Sequence, residues 1–430
     1  MRCSRPMRIQ EVIGERMMSQ GPYSARAVHC DHDADDATVY EALRRATLPL
    51  QRSWQRLRSA QRIVIKFNQD FRSDRVPYFM GQRQQLVSDK VARAVIRLLR
   101  EETDAELFYA DITAFARTDD PNPPPTAQLA DLMRELGVPY INGDRPPHRW
   151  YAVPGGGQMF RQYLLPEAIV GADALVDVQR MKNHAFMGVT LTLKNLFGLV
   201  PREPHGRSRQ YFHHLVRMPY MLADIGRIFN PALCIVDALV AQAGEEWGSG
   251  EGLGRVVDSL IAGDHPVSTD AVAMWLMGHD PQADWPIPPC HRDRNAVLVA
   301  AEGGFGTVDL EQIDWESEVD PQPEGTFFTR QTDGWERVVS WRRTTCEQAL
   351  YYRDHFREFV DNYAGEYILL QEGEVRWHSE SSILRASRRK LSGDNPDQAM
   401  WLKYVDPEET EGEHFEVYER TLAHLASLEL

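Results

Sequence analysis

The chain has 430 residues, is 43% apolar and carries a formal charge of -15 from 48 basic and 63 acidic side chains. This length and apolar content suffice for one large core or two moderate ones and exclude wholesale disorder, and the acidity argues against nucleic acid or an anionic membrane surface as the main partner. No window approaches the ~18 consecutive apolar residues of a membrane span, the N-terminus lacks the apolar core of a secretory signal, and Cys3, Cys30, Cys234, Cys290 and Cys346 stand singly. The expectation is a cytoplasmic protein with no membrane or nucleic-acid partner and no iron-sulfur cluster bound by this chain.

Residues 1–54 read as an N-terminal extension, polar and acidic around Asp31 to Asp36, with a helical pattern near Val39 to Leu50. The core begins at the β-branched run Arg62 to Phe67, a predicted strand that leads into the polar loop Asn68-Gln69-Asp70-Phe71-Arg72. Val91, Val95, Leu98 and Leu99 recur at helical spacing between Ser88 and Glu101. Glu106 to Ala110 reads as the next strand, with Asp111 at its end, and a helix follows the prolines at 121–125 and stops near Gly137.

Ala174 to Val178 has the length and composition of a buried strand, and Arg180 to Pro201 follows it with RMKNHAFMGVTLTLKNLFGLVP. Open α/β sheets place ligands at the carboxyl ends of their strands. If the chain stays extended past Val178, a period of two puts Arg180, Lys182 and His184 on one face. Such a cationic cluster either binds an anion or is neutralised by nearby acids. Lys182, His184, Lys194 and Asn195 are therefore site candidates: the imidazole for proton transfer or metal, the lysines for holding phosphate or carboxylate. The plainer alternative is a solvated loop whose leucines fill a core.

Ala232 to Val236 is another buried strand, ending at Asp237, and the glycine-rich acidic loop from Gly244 carries Glu245 and Glu246. His205, His213 and His214 form a second histidine set that, with His184 and a carboxylate, offers candidate metal ligands, although their spacing matches no standard signature. Asp270 opens the helix Ala271 to Met277, where capping competes with a site role. Gly155-Gly156-Gly157 and Gly303-Gly304-Phe305-Gly306 match no nucleotide fingerprint. From about Phe327 the texture turns aromatic and charged, with a hairpin over Tyr367 to Trp377 and a helix from Ser382 to Leu391. Strand and helix signals alternate throughout the core, which predicts an α/β fold with a largely parallel sheet.

Taken in order, Lys182-x-His184, Thr190, Lys194-Asn195-x-Phe197-Gly198, Pro201, Ile235-Val236-Asp237, Ala262-Gly263-Asp264-x-Pro266-Val267 with Asp270, and Ala301 to Gly306 resemble the domain-of-unknown-function family DUF362 over roughly residues 60–320. The cysteine-rich ferredoxin-like segment of many members is absent here. A looser likeness, His184-Ala185-Phe186-Met187-Gly188 followed by Lys194, is similar to the nickel-pincer lactate racemase family. That likeness implies His184 as general acid/base, Lys194 as anchor of a nucleotide-derived cofactor, His213 or His214 as metal ligand, and Arg72 or Arg75 as a clamp on substrate carboxylate. Thr190-Leu191-Thr192-Leu193 is bulkier than the racemase stretch, and no histidine follows Asp111. The C-terminal hairpin is similar to a small accessory module of bacterial proteins.

The resulting expectation is two packed α/β lobes over 55–326 and a small α+β accessory module over 327–430. A cleft carries catalytic His184, Lys194 and Asp237, cofactor-binding Lys182, Lys194 and Asn195, and substrate-binding Arg72, Arg75 and Asp270. A divalent metal on His184, His213 and His214, or a pincer-like nucleotide, is the implied cofactor. The expected function is an enzyme on a small anionic metabolite, of isomerase-like or other proton-transfer chemistry. The alternative is a noncatalytic anion-binding or scaffold protein, either self-associating or docking a partner through the C-terminal module.

Overall fold

The computed structural model describes residues 23–112, 120–202, 209–246, 253–330, 333–381 and 400–428. Its strands are β1 (Tyr23–His29), β2 (Arg62–Phe67), β3 (Tyr78–Phe79), β4 (Gln82–Arg83), β5 (Glu106–Ala110), β6 (Tyr140–Ile141), β7 (His148–Ala152) and β8 (Gln162–Pro166). They continue with β9 (Ala174–His184), β10 (Gly188–Thr190), β11 (Leu233–Gln242), β12 (Gly254–Gly263) and β13 (Ile313–Ser317). Nine strands form one sheet in the order β13-β1-β12-β11-β9-β2-β5-β6, with β10 paired to β9. The five strands β11, β9, β2, β5 and β6 are mutually parallel, and β12 and β10 run against their neighbours. The expected α/β class with a largely parallel sheet is what the chain forms.

Both faces of the sheet are covered, which is why its strands read as unbroken apolar runs. Ile63, Ile65 and Phe67 of β2 pack with Val39, Leu43, Trp54 and Leu98, whereas the intervening Val64 faces the cluster that holds Met221 and Val272. Helices α1 (Asp36–Thr47), α2 (Gln51–Ser59) and α3 (Asp89–Glu102) thus lie on one face. The short α4 (Ala130–Glu135), α5 (Glu167–Val170), α6 (Thr192–Asn195) and α7 (Arg209–Phe212) follow in the chain. Helices α8 (Arg217–Phe229), α9 (Pro266–Leu276) and α10 (Ala296–Glu302) cover the other face.

Residues 23–59 are not peripheral, contrary to the expectation of an N-terminal extension through residue 54. β1 pairs with both β12 and β13, and Val39, Leu43 and Trp54 bury their apolar side chains in the core. The acidic stretch around Asp31 to Asp36 is only the turn into α1, whose N-terminus Asp35 caps.

The C-terminal residues form α11 (Trp335–Asp354), α12 (Phe356–Tyr363), the strands β14 (Tyr367–Gln371), β15 (Glu374–Ser379) and β16 (Trp401–Tyr404), and a last helix, Glu416–Leu428. β14 and β15 make the expected hairpin, with Glu372 and Gly373 both at positive φ as a tight primed turn requires. The helix expected from Ser382 lies outside the described residues. Ile368, Leu369 and Trp401 share one apolar cluster with Met221 of α8. Beside it, buried Lys403 holds Glu409, Glu411 and Glu413 at 3.0, 2.8 and 2.8 Å, and Glu413 also pairs with Arg217 of α8 at 3.1 Å. Among the described residues no helix is long and apolar enough to cross a membrane.

Candidate functional site

The parallel order β11-β9-β2 brings three carboxyl ends side by side, and the chain exits each into a polar segment. β9 stays extended through His184, so Lys182 and His184 project beyond the point where β2 stops. Asn68 follows β2, Glu246 follows β11, and Lys194 sits in α6, just after the β9–β10 hairpin.

Lys182 is almost fully buried, and its ammonium donates to the Gln85 carbonyl at 3.0 Å and to Asn68 Oδ1 at 3.2 Å. Burial lowers its pKa to about 7 against the pull of Glu246. Lys194 is partly buried, lies 4.8 Å above the Phe197 ring, and is lowered to about 8, again chiefly by desolvation and against Glu246.

His184 Nδ1 accepts the backbone N-H groups of Phe186 and Met187, both at 3.1 Å, while Nε2 lies 3.4 Å from Glu246 Oε1. The ring is held well below its ordinary pKa by desolvation, then by Lys194, His213 and Lys182. Glu246 Oε2 accepts the Ala185 N-H at 2.9 Å, and burial raises its carboxyl above the usual range despite both lysines. His213 closes the apolar side, its ring 4.9 Å from Phe186 and 6.5 Å from His184.

The other expected site residues lie elsewhere. Asn195 is buried beneath the site, where its amide oxygen accepts from Lys66 at 2.8 Å and its Nδ2 donates to Asp177 at 2.5 Å. Lys66 also pairs with Asp111 at 3.1 Å. A Cβ on Gly198 would stand 2.6 Å from Lys66 Cε and 2.8 Å from Asp111 Oδ1, so the Asn195-x-Phe197-Gly198 motif is explained by packing around this network. Asp237 is fully buried against Arg180 at 2.8 Å and also accepts the backbone N-H and hydroxyl of Ser88, the N-cap of α3. Every donor it meets is structural, which places it in scaffolding and not in the expected catalytic position.

Asp270 accepts from the Thr192 N-H and hydroxyl and from the Leu193 N-H at 2.6–2.8 Å, satisfying the first turn of α6 from α9. It is a cap for a neighbouring helix, and burial pushes its carboxyl up to about 7. Arg72 and Arg75 lie on an exposed turn, where Arg72 pairs with Asp74 at 2.8 Å. His214 Nε2 points to the Met400 carbonyl at 2.6 Å, on the side of the C-terminal strands. Because His213 and His214 diverge and His184 Nδ1 is occupied, the expected three-histidine set does not meet at one point. Among the described residues no group of three or more His, Cys, Asp or Glu side chains is arranged to hold a metal.

The Gly155 to Gly157 turn is likewise filled from within. Asp224 of α8 accepts the backbone N-H groups of Gln158, Met159 and Phe160 at 2.6, 2.8 and 3.0 Å, taking the place that an external anion would need. Glu246, Asn68 and Gln85 were not among the expected site residues. Glu246 carried a signal as an acid in the glycine-rich loop after a predicted strand, and Asn68 as the first residue of the polar loop after another; Gln85 carried none.

This chain is similar to a thylakoid-associated protein of Synechocystis sp., with 27% identity over 208 residues, 46% of this chain and 59% of that protein. The match thus spans less than two thirds of the relative's length. The lactate racemase apoprotein of Thermoanaerobacterium thermosaccharolyticum is similar over 60% of this chain and 58% of its own, with 16% identity and a TM-score of 0.35. The model of the family described as a domain of unknown function, DUF362, matches residues 63–275, the span from β2 to α9 that contains Lys182, His184, Lys194 and Glu246. That match to the DUF362 family model takes in just under half of the chain.

Proposed function

We propose that the carboxyl end of β9 is an enzyme active site for a small anionic metabolite. The observation that carries this reading is the convergence of two partly desolvated lysines, a neutral histidine and one carboxylate at the ends of adjacent parallel strands. Lys182 and Lys194 supply the charge for the anion, as point charges that hold a carboxylate without demanding a planar fork. His184 and Glu246 supply groups between which a proton can be placed. Burial is what makes the arrangement functional: it weakens each lysine's hold on its proton, so an incoming anion restores the charged form and is bound by doing so.

No step is assigned to a metal or nucleotide-derived cofactor, because the histidines expected to ligate one point in different directions. The test is calorimetric titration of the full chain with pyruvate, 2-oxoglutarate and inorganic phosphate. Binding of at least one, weakened about tenfold or more in both Lys182→Met and Lys194→Met, is the expected result. Affinity unchanged in both variants would remove the anion from this site.

A further inference from the structure

We propose that Glu246 is the proton acceptor of this site and His184 a neutral hydrogen-bond donor through Nε2, together acting on a carboxylate that bears a carbonyl next to an ionisable C-H bond, as a 2-oxo acid does. This rests on the anion-site reading above and changes the role expected for His184, which was general acid/base.

The argument begins with the backbone. The turn after β9 directs the N-H groups of Phe186 and Met187 at His184 Nδ1, each at 3.1 Å. A nitrogen that accepts hydrogen bonds carries no proton, so in the neutral ring the proton is on Nε2. Taking up a second proton would break both backbone bonds and add a cation beside Lys182, Lys194 and Arg292, the groups that already disfavour it. The ring is thereby fixed as a donor. Its Nε2 lies 3.4 Å from Glu246 Oε1, and that carboxylate is held from the other side by the Ala185 N-H at 2.9 Å. Donor and acceptor are positioned by one short stretch of backbone, residues 184–187.

A neutral imidazole donor facing a carboxylate base, with ammonium groups alongside, matches the demands of enolate chemistry. The substrate carboxylate lies on Lys182 and Lys194, and its carbonyl oxygen receives the His184 Nε2-H. The adjacent C-H bond breaks, the proton passes to Glu246 Oε1, and the electron pair moves into the carbonyl to give an enolate whose oxygen Nε2-H stabilises. Return of a proton from Glu246 regenerates the carbonyl compound. No electron acceptor is needed, and the raised affinity of the buried Glu246 for protons makes it a better base than a solvated glutamate.

Two measurements test this on the full chain. In the first, nitrogen-15 spectra of the imidazoles at neutral pH are expected to show His184 as the Nε2-H tautomer, and a protonated or Nδ1-H ring overturns the proposal. In the second, pyruvate and 2-oxoglutarate are followed by proton NMR in deuterated water. The wild type is expected to exchange the C3 protons of at least one, and Glu246→Gln to lower that rate about 100-fold with binding of the same acid retained. His184→Gln, which keeps an N-H donor and cannot be protonated, is expected to retain more exchange than His184→Ala. Binding without exchange in the wild type, or full exchange in Glu246→Gln, overturns the proposal and leaves the anion-site reading standing. Failure of both oxo acids to bind overturns the proposal, and phosphate binding lost in the lysine variants would then still support the broader anion site.

Discussion

The Lys66 ammonium donates to Asn195 Oδ1 at 2.8 Å, and the other end of the same amide donates to Asp177 at 2.5 Å. An amide has one acceptor and one donor end, so it can join a cation to a carboxyl group without adding charge. Asp177 is held well above the usual carboxylate range by burial, which Lys66 and Asn195 only partly offset. This network lies close enough to the site that Lys66 lowers the proton affinity of both Lys182 and Lys194. It is a support for the site rather than a member of it.

Replacing Asn195 by leucine leaves both Lys66 and Asp177 short of a partner in the interior. The expected cost is about 3 kcal/mol, seen as a lower urea midpoint with an unchanged slope. Asn195→Asp, which adds a third carboxylate to Asp111 and Asp177, is expected to lose stability as pH rises through the carboxylate range. Retention of wild-type stability in Asn195→Leu would show that the bridge is dispensable.

Asp237 was expected in the catalytic set and is found closed against Arg180 and Ser88. The variant Asp237→Asn removes the charge that Arg180 faces at zero exposure and weakens the acceptor that holds the start of α3. A loss of about 3–5 kcal/mol is expected, the range for an uncompensated buried charge. Thermal unfolding checks it: a catalytic role alone predicts an unchanged midpoint, the structural role a large drop.

The sheet was legible because its parallel strands are buried on both faces, and Ile63 to Phe67 and Ala174 to Val178 therefore stand out as apolar runs. Period-two reasoning also placed Lys182 and His184 at the end of β9. Less visible were features fixed by distant partners. Lys66 reads as an ordinary strand end until Asp111, 45 residues on, is seen to hold it. Asp237 looks like a free acid at a strand end, and Asp270 reads as a cap whose helix the sequence does not identify; their closure against Ser88, Arg180 and Thr192 depends on tertiary contact. β1 was hidden for a different reason: Ala25 and Ala27 are small, and the acidic turn after them masks a strand that the sheet needs.

Affinity for a carboxylate should depend on pH in a direction set by the lysines. An anion binds the protonated amines, and these are depressed to about 7 for Lys182 and about 8 for Lys194. Binding of pyruvate, whose own carboxylate does not titrate here, is expected to weaken as pH rises through about 7 to 8. Stability should move the other way. Unfolded lysines titrate near ~10.4, so between about pH 7 and about pH 10 the unfolded chain binds more protons and stability rises with pH. Below about pH 7 the cost of burying the charged amine is fully in force. Lys182→Met is therefore expected to flatten the pH dependence of unfolding while weakening anion binding about tenfold or more, a trade of function for stability.

The C-terminal residues offer the last test, because they were expected to be a separable module. Their apolar side chains share one cluster with α8, and Lys403 with its three glutamates is joined to that helix through Glu413 and Arg217. Tyr211 of α7 adds a hydrogen bond to Glu411, and the Arg161 N-H donates to the Glu411 carbonyl at 2.9 Å. Ending the chain at residue 326 would expose Trp341, Leu369 and Trp401's partners on α8 and leave Arg217 without its carboxylate, so the shortened protein is expected to aggregate. The point variant Lys403→Met isolates the ionic part: three carboxylates without their ammonium cannot all stay charged, and a loss of about 3–5 kcal/mol is expected. The loss should shrink as pH falls into the carboxylate range, because protonating the glutamates relieves their repulsion, whereas a merely apolar contact would show no such dependence. A folded, monodisperse 1–326 fragment by gel filtration would establish instead that these residues are an independent unit.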